Sequence, residues 1–309
     1  MNKRNNSQNV KSLLARGSIS VFGNPALTTY AIKTLKKSQK AVEGGVLPNE
    51  ILSMIRMQQQ CQGINQKYTR LFDVYEDEEF VHLVMENCSG GTLLQFFTNA
   101  ADQEEGPVEL PGIGERSQIS EVFFKKIIRQ LLFSVKSMHE IGLAHRDLKP
   151  ENIMIQKKDG KVEIRIIDFG LSKSFEPTVE DPGVFSSLSG TPHYVSPQII
   201  KGAYDEKCDI WALGVVAYQL FSGGDFPFDG ENEVRVYKSI RRGKFQLPAA
   251  AQQPAPKGSA FDWQYMSEEA KDFIRYLLTW DAKQRPSAQE ALMHEWFNGE
   301  KKMQRNPGF

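Results

Sequence analysis

The sequence predicts an α+β fold in two lobes, a small one rich in strands with a single helix, and a larger one made mostly of helices. Three observations carry this. Strand-type runs separated by turn residues fill the chain up to Met85, whereas apolar residues at i, i+3, i+4 spacing dominate from Glu121 onward. Within the helical part, directly after its first long amphipathic stretch, lies a polar run, His145-Arg146-Asp147-Leu148-Lys149-Pro150-Glu151-Asn152, followed by a hairpin that ends in Asp168-Phe169-Gly170. A chain of 309 residues is also long enough for two cores of ordinary size.

Composition narrows the class. With 40% hydrophobic and 25% charged residues the chain is globular in character. Thirty-eight basic residues balance thirty-eight acidic ones, so the overall field gives no reason to expect nucleic acid or an anionic membrane as partner. Cys61, Cys88 and Cys208 have neither metal-ligand nor CxxC spacing, which suits free thiols in a reducing compartment. The first residues show no secretion signal and no glycine for myristoylation. The longest apolar run, Ile210 to Phe221, is well short of the ~20 residues of a membrane span and reads as a buried helix. A monomeric protein of the cytoplasm, with nuclear entry left open, is expected.

Residues 1–16 read as a polar tail or a partial first strand. Gly23-Asn24-Pro25 then marks a hairpin whose second strand is Thr28 to Lys33. A Gly/Pro linker at 44–48 precedes a helix from Asn49 to Met57, with Ile51, Met54 and Ile55 on one face. Leu71–Tyr75 and Phe80–Met85 are strands around an acidic turn. The stretch from Thr98 to Ser117, with its Gly-Pro and Pro-Gly pairs, reads as a surface insertion. Glu121 to Ile141 is the strongest amphipathic helix, with Ser120 as N-cap. Asp159-Gly160 closes a hairpin between Ile153–Ile155 and Val162–Ile166, which brings Asp168 to a strand end beside the polar run. Further helices are expected over Ser267–Thr279 and Ser287–Trp296, the latter opened by the capping box Ser287-Ala288-Gln289-Glu290.

The polar run and the Asp168-Phe169-Gly170 motif resemble the catalytic loop and magnesium-binding motif of protein kinases. The resemblance extends to Ala31-Ile32-Lys33, to the hinge-like Val84-Met85-Glu86-Asn87-Cys88-Ser89-Gly90-Gly91, and to Gly190-Thr191-Pro192 and Ser196-Pro197-Gln198. It implies a two-lobed protein-kinase-like fold over residues 17–297, with an N-lobe to about residue 86, a hinge at 86–91, a C-lobe at 92–297 and a tail at 298–309. It is closest in character to the calcium/calmodulin-dependent and calcium-dependent group, although no D-x-D-x-D-G calcium loop occurs in the sequence.

The roles that follow are those the resemblance implies. Asp147 takes the proton of the incoming hydroxyl, Lys149 neutralises the γ-phosphate, and Lys33, paired with Glu50, holds the α- and β-phosphates of ATP. Asn152 and Asp168 ligate Mg²⁺. Gly17, Ala31, Met85 as gatekeeper, the backbone at Glu86 and Cys88, and Glu151 complete the nucleotide site. Ser12 and Leu14 replace the first two glycines of the phosphate-covering loop, so either that loop is degenerate or part of the first strand is missing. Gln198 replaces the glutamate that pairs with the equivalent of Arg285, which predicts a looser anchor for the activation segment. Arg146 and Ser187, with Ser186 and Ser189 behind it, point to control by phosphorylation through an upstream kinase or autophosphorylation. Thr191 is expected to face Asp147. Asp209 is expected to brace the catalytic loop's backbone. Lys149 is the serine/threonine pattern, and Thr92 stands where a glutamate reads basic residues, leaving Glu151 to give a weak basic preference. The expected activity is an ATP-dependent protein serine/threonine kinase acting on protein or peptide substrates. The alternative is a pseudokinase scaffold.

Overall fold

The structure, a computed structural model, describes residues 30–37, 49–61, 67–102, 121–158, 161–175, 185–247 and 266–298. The first hairpin strand, Ser12, Leu14, Gly17, the 44–48 linker, Ser120, Asp159-Gly160 and residues 103–117 lie outside them.

The first lobe is an antiparallel sheet of three strands in the order β1-β3-β2, with β1 at Tyr30–Lys36, β2 at Leu71–Glu76 and β3 at Phe80–Glu86. The register sets Ala31 opposite Met85 and Lys33 opposite Leu83. Strand alternation therefore turns Ala31 and Lys33 to one face, while Tyr30 and Ile32, 49% and 66% exposed, take the other. Helix α1, Asn49–Gln60, buries Glu50, Ile51, Met54 and Met57. Its position relative to the second lobe is fixed by polar contacts. The Asn49 amide donates to the Ser172 carbonyl, the Ser172 hydroxyl donates to Ser53 Oγ at 2.7 Å, and Arg56 donates to Ser174 Oγ at 2.7 Å.

The second lobe is helical. Helix α2 spans Leu93–Asp102, so the chain stays helical past Thr98, where the sequence suggested that an insertion begins. The reason is tertiary: Phe96 stacks on Phe123 with ring centroids 5.7 Å apart, which rewards continuing the helix against its neighbour. Helix α3, Glu121–Glu140, buries Phe124, Ile127, Ile128, Leu131, Leu132, Val135 and Met138, the face its periodicity gives. Each such side chain removed from water is worth roughly 1.5–3 kcal/mol. Beyond the short strand β4 (Leu143–Ala144) and a 3₁₀ turn at Pro150–Asn152, strands β5 (Ile153–Lys158) and β6 (Lys161–Ile166) pair with Ile153 opposite Ile166. Strand β7, Lys173–Ser174, pairs with β4.

A 3₁₀ turn at Pro192–Tyr194 leads to helix α4, Pro197–Lys201. Helix α5, Lys207–Ser222, is buried on every side, as expected of the Ile210–Phe221 run. Helices α6 (Glu233–Arg242), α7 (Glu268–Leu277) and α8 (Ala288–Leu292) complete the lobe. The Ser287–Glu290 capping box is present, but α8 is shorter than expected. The chain turns at Met293 and re-forms a 3₁₀ turn at Glu295–Phe297, so that Trp296 stacks on Phe273 at 4.7 Å. Among the described residues no helix is long and apolar enough to cross a membrane.

Candidate active site

Between the lobes, the inward face of β1, the end of β3 and the start of β5 enclose a cavity of about 240 Å³. Its walls include Ala31, Lys33, Met85, Glu86, Cys88 and Met154. Glu86 N–H is already committed to the Arg70 carbonyl at 2.9 Å, so of its backbone only the carbonyl is presented to a ligand. Thr69, which the sequence did not single out, also lines the cavity and reaches that carbonyl with its hydroxyl at 3.4 Å. Cys88 is buried, and burial pushes its thiol up to about 11, which keeps it neutral at ordinary pH.

At the inner end, Lys33 Nζ donates to Glu50 Oε1 at 2.7 Å and to Asp168 Oδ1 at 2.8 Å. Burial by itself would lower the lysine's pKa, but the bonds and charges of Asp168 and Glu50 outweigh it and leave it raised, so the ammonium is fixed. Glu50 is shifted upward by its own burial, against the pull of Lys33. Asp168 is pushed up by burial but held net below the usual carboxylate range by Lys33 and the Gly170 N–H. It remains the better anion of the two, and it is the more exposed, at 43% against 4%.

The loop from His145 to Asn152 is held by buried groups. Asp209, wholly buried, accepts the backbone N–H of His145 at 2.9 Å and of Arg146 at 2.8 Å, and a bond from His139 Nε2 at 2.9 Å. Burial depresses the His145 pKa, so its ring is neutral; with Nε2 donating to the Ile167 carbonyl at 3.2 Å, Nδ1 accepts the Asp147 N–H at 3.3 Å. Arg146 and Asp168 both have left-handed backbone, φ 68° and 63°, an arrangement that side chains with a Cβ rarely adopt. The two strained residues flank the place where the loop and the Asp168 turn meet.

Around Asp147 the polar groups converge. Its Oδ1 accepts from the Thr191 N–H at 3.1 Å and the Thr191 hydroxyl at 2.9 Å. Its Oδ2 lies 2.9 Å from Lys149 Nζ and accepts from Asn152 Nδ2 at 3.0 Å. Lys149 also donates to Thr191 Oγ1 at 2.7 Å. Gly190, at φ 104°, allows this approach, because a Cβ there would stand 2.8 Å from the Arg146 carbonyl. With its Nδ2 turned to Asp147, Asn152 presents Oδ1 to the cavity beside Asp168. No cluster of three or more His, Cys, Asp or Glu suited to a metal occurs among the described residues. One amide oxygen and one carboxylate are nonetheless the donors Mg²⁺ takes when phosphates and water complete its shell.

Glu151 is placed differently from its expected part in the nucleotide site. It is exposed on the 3₁₀ turn and is not among the residues lining the cavity, because that turn aims Asn152 inward. The anchor of the activation segment is also not loose. Arg285, 1% exposed, donates to Gln198 Oε1 at 2.7 Å, while Gln198 Nε2 donates to the Trp280 carbonyl at 2.7 Å. An amide can satisfy both partners where a carboxylate would meet the carbonyl with no proton to offer.

The fold and this constellation define a phosphotransferase, and the chain belongs to the protein kinase family: it matches the protein kinase domain over residues 19–297. It is similar to calcium/calmodulin-dependent protein kinase type 1 of Caenorhabditis elegans, 33% identical over 87% of this chain and 67% of the relative. The corresponding protein of Macrobrachium nipponense is 33% identical over 94% of this chain and 74% of the relative. Calcium-dependent protein kinase 4 of Plasmodium berghei is 34% identical over 86% of this chain but 44% of the relative.

Proposed function

We propose that the chain is an ATP- and Mg²⁺-dependent protein kinase that phosphorylates serine and threonine hydroxyls. The observation that carries this reading is the convergence of Lys149, Asn152 and Thr191 on the Asp147 carboxylate, beside the Lys33–Glu50–Asp168 set. Asp147 orients the incoming hydroxyl and accepts its proton, and Lys149 supplies positive charge where the transferred phosphoryl develops negative charge. Lys33, held between two carboxylates, binds the non-transferred phosphates. Asn152 and Asp168 would hold the metal, which when bound neutralises phosphate charge. The complete set favours catalysis over a scaffold role.

Mg·ATP is expected to raise the melting temperature of the wild type by several degrees, and Lys33→Met to abolish most of that rise, because binding stabilises only a chain able to bind. Differential scanning fluorimetry with and without Mg·ATP checks this. An equal rise in both proteins would remove Lys33 from the nucleotide site.

Regulation is proposed at Ser187. Its hydroxyl is 3.2 Å from Arg146 Nη1, which also donates to the Tyr204 hydroxyl at 3.0 Å. Ser186 and Ser187 are both exposed, whereas the Ser189 hydroxyl is buried with no hydrogen-bond partner among the described residues; the contact with Arg146 selects Ser187 over Ser186. A phosphate there gains charge-assisted bonds from Arg146 and orders the segment that carries Thr191. Ser187→Ala is expected to lower the activity of the phosphorylated enzyme and leave the dephosphorylated enzyme near wild type, as read by kinase assays before and after phosphatase treatment.

A further inference from the structure

A second, larger cavity of about 610 Å³ lies away from the catalytic cleft. It opens between the outer face of α3, the end of α1 and the edge of the β5–β6 hairpin. Its floor is apolar, with Phe123, Ile127, Tyr68 and Val162, and Phe133 stands at its mouth 52% exposed. A phenylalanine so exposed in the middle of an amphipathic helix is an apolar surface with no intramolecular cover among the described residues.

The charge around it is one-sided. Four cationic residues, Lys67, Lys126, Arg129 and Lys161, line the cavity together with a single carboxylate, Glu163. That carboxylate is consumed: Lys67 holds one oxygen at 2.9 Å and Arg165 holds the other at 3.1 Å. Arg129 is likewise engaged, donating to the Phe297 carbonyl at 3.0 Å. Lys126 and Lys161 are exposed, and neither forms an ion pair with any described residue. The site is thus an apolar floor with two ammonium groups at its rim that no described residue pairs.

We infer that this cavity is a docking site for an acidic segment of a partner protein, which seats an aromatic or aliphatic side chain against Phe133 and Val162 and sets carboxylates against Lys126 and Lys161. Charge complementarity selects the partner's sign, and the apolar floor supplies the anchor around which affinity is concentrated. The site does not depend on the catalytic reading, since it shares no lining residue with the nucleotide cavity and includes no member of the Asp147 cluster.

The test is direct binding. A short fluorescein-labelled peptide with two phenylalanines set among glutamates is titrated with the full chain and followed by anisotropy, with a control peptide carrying lysine at each glutamate. Saturable binding of the acidic peptide only is expected, weakened by salt and by about tenfold or more in Lys126→Glu/Lys161→Glu and in Phe133→Ser. These are exposed positions, so the variants should melt within a few degrees of the wild type. Hydrogen exchange should slow within 123–137 and 161–163 when the peptide is present. No binding, equal binding of the two peptides, equal binding by the variants, or protection elsewhere would overturn the proposal. A loss of dimer in the Phe133→Ser variant by light scattering would also overturn it, because the face would then join two copies of this chain.

Discussion

Asp147→Asn is expected to lower the turnover number for phosphotransfer by roughly 10²–10⁴-fold, the range associated with losing a positioned general base. The expectation follows from the groups that meet there. The carboxylate accepts on both oxygens, from Thr191 on one side and from Asn152 and Lys149 on the other. An asparagine can present its oxygen to Thr191, but its amide nitrogen then faces the donors of Asn152 and Lys149. The substitution removes the proton acceptor and sets donors against a donor. Asp147 is not among the residues lining the nucleotide cavity, so KM for ATP should change little while kcat falls. Steady-state kinetics on a basic protein substrate separate the two. A kcat within a few-fold of wild type would mean that Asp147 is not the base.

Asp209→Ala should produce the largest loss of stability, about 3–5 kcal/mol, the usual cost of breaking a buried, hydrogen-bonded charge pair. It leaves the N–H groups of His145 and Arg146 and the ring of His139 without their acceptor, around a carboxylate that is wholly buried. It also frees the left-handed backbone at Arg146, φ 68°, which those bonds hold in place. Urea unfolding of the two proteins measures the difference. The pH dependence has a definite sign. Burial pushes the Asp209 pKa up, but the bond from His139 and the Arg146 backbone N–H outweigh it and hold the native carboxyl below its usual value. Its stabilisation is therefore present in full above the unfolded value of about 3.9 and is lost as pH falls through the lower native value. The gap between wild type and Asp209→Ala should be constant through neutral pH and narrow below about pH 4. A gap that widened in acid would contradict the assignment.

What the sequence made legible was what local pattern determines. The seven apolar positions of α3 fall on one buried face because a 3.6-residue period leaves no other choice, and the Ser287–Glu290 box caps α8 because both partners lie within one turn. The Lys33–Glu50 pair and the facing of Thr191 and Asp147 join residues far apart in the chain. They were expected only because the surrounding motifs resemble a family whose spatial arrangement is shared. Features set by tertiary contact were not legible. Helix α2 runs on past Thr98 because Phe96 meets Phe123, and α8 stops early because Trp296 must turn back onto Phe273. Tyr204, Thr69 and the Lys67–Glu163–Arg165 ion pairs belong to no short motif. The left-handed backbone at Arg146 and Asp168 runs against the preference of both residue types. Gln198 was read as a weakened glutamate because sequence shows the lost charge but not the Trp280 carbonyl that the amide satisfies.

The claim that Asp147, Lys149 and Thr191 serve transfer to an aliphatic hydroxyl is tested most directly by the identity of the product. The protein is incubated with γ-³²P-labelled Mg·ATP and a mixed protein substrate, and the labelled residues are separated after acid hydrolysis. Label should appear in phosphoserine and phosphothreonine, vanish with EDTA and fall to background in Asp147→Asn. Label confined to phosphotyrosine, or incorporation equal in wild type and Asp147→Asn, would contradict it.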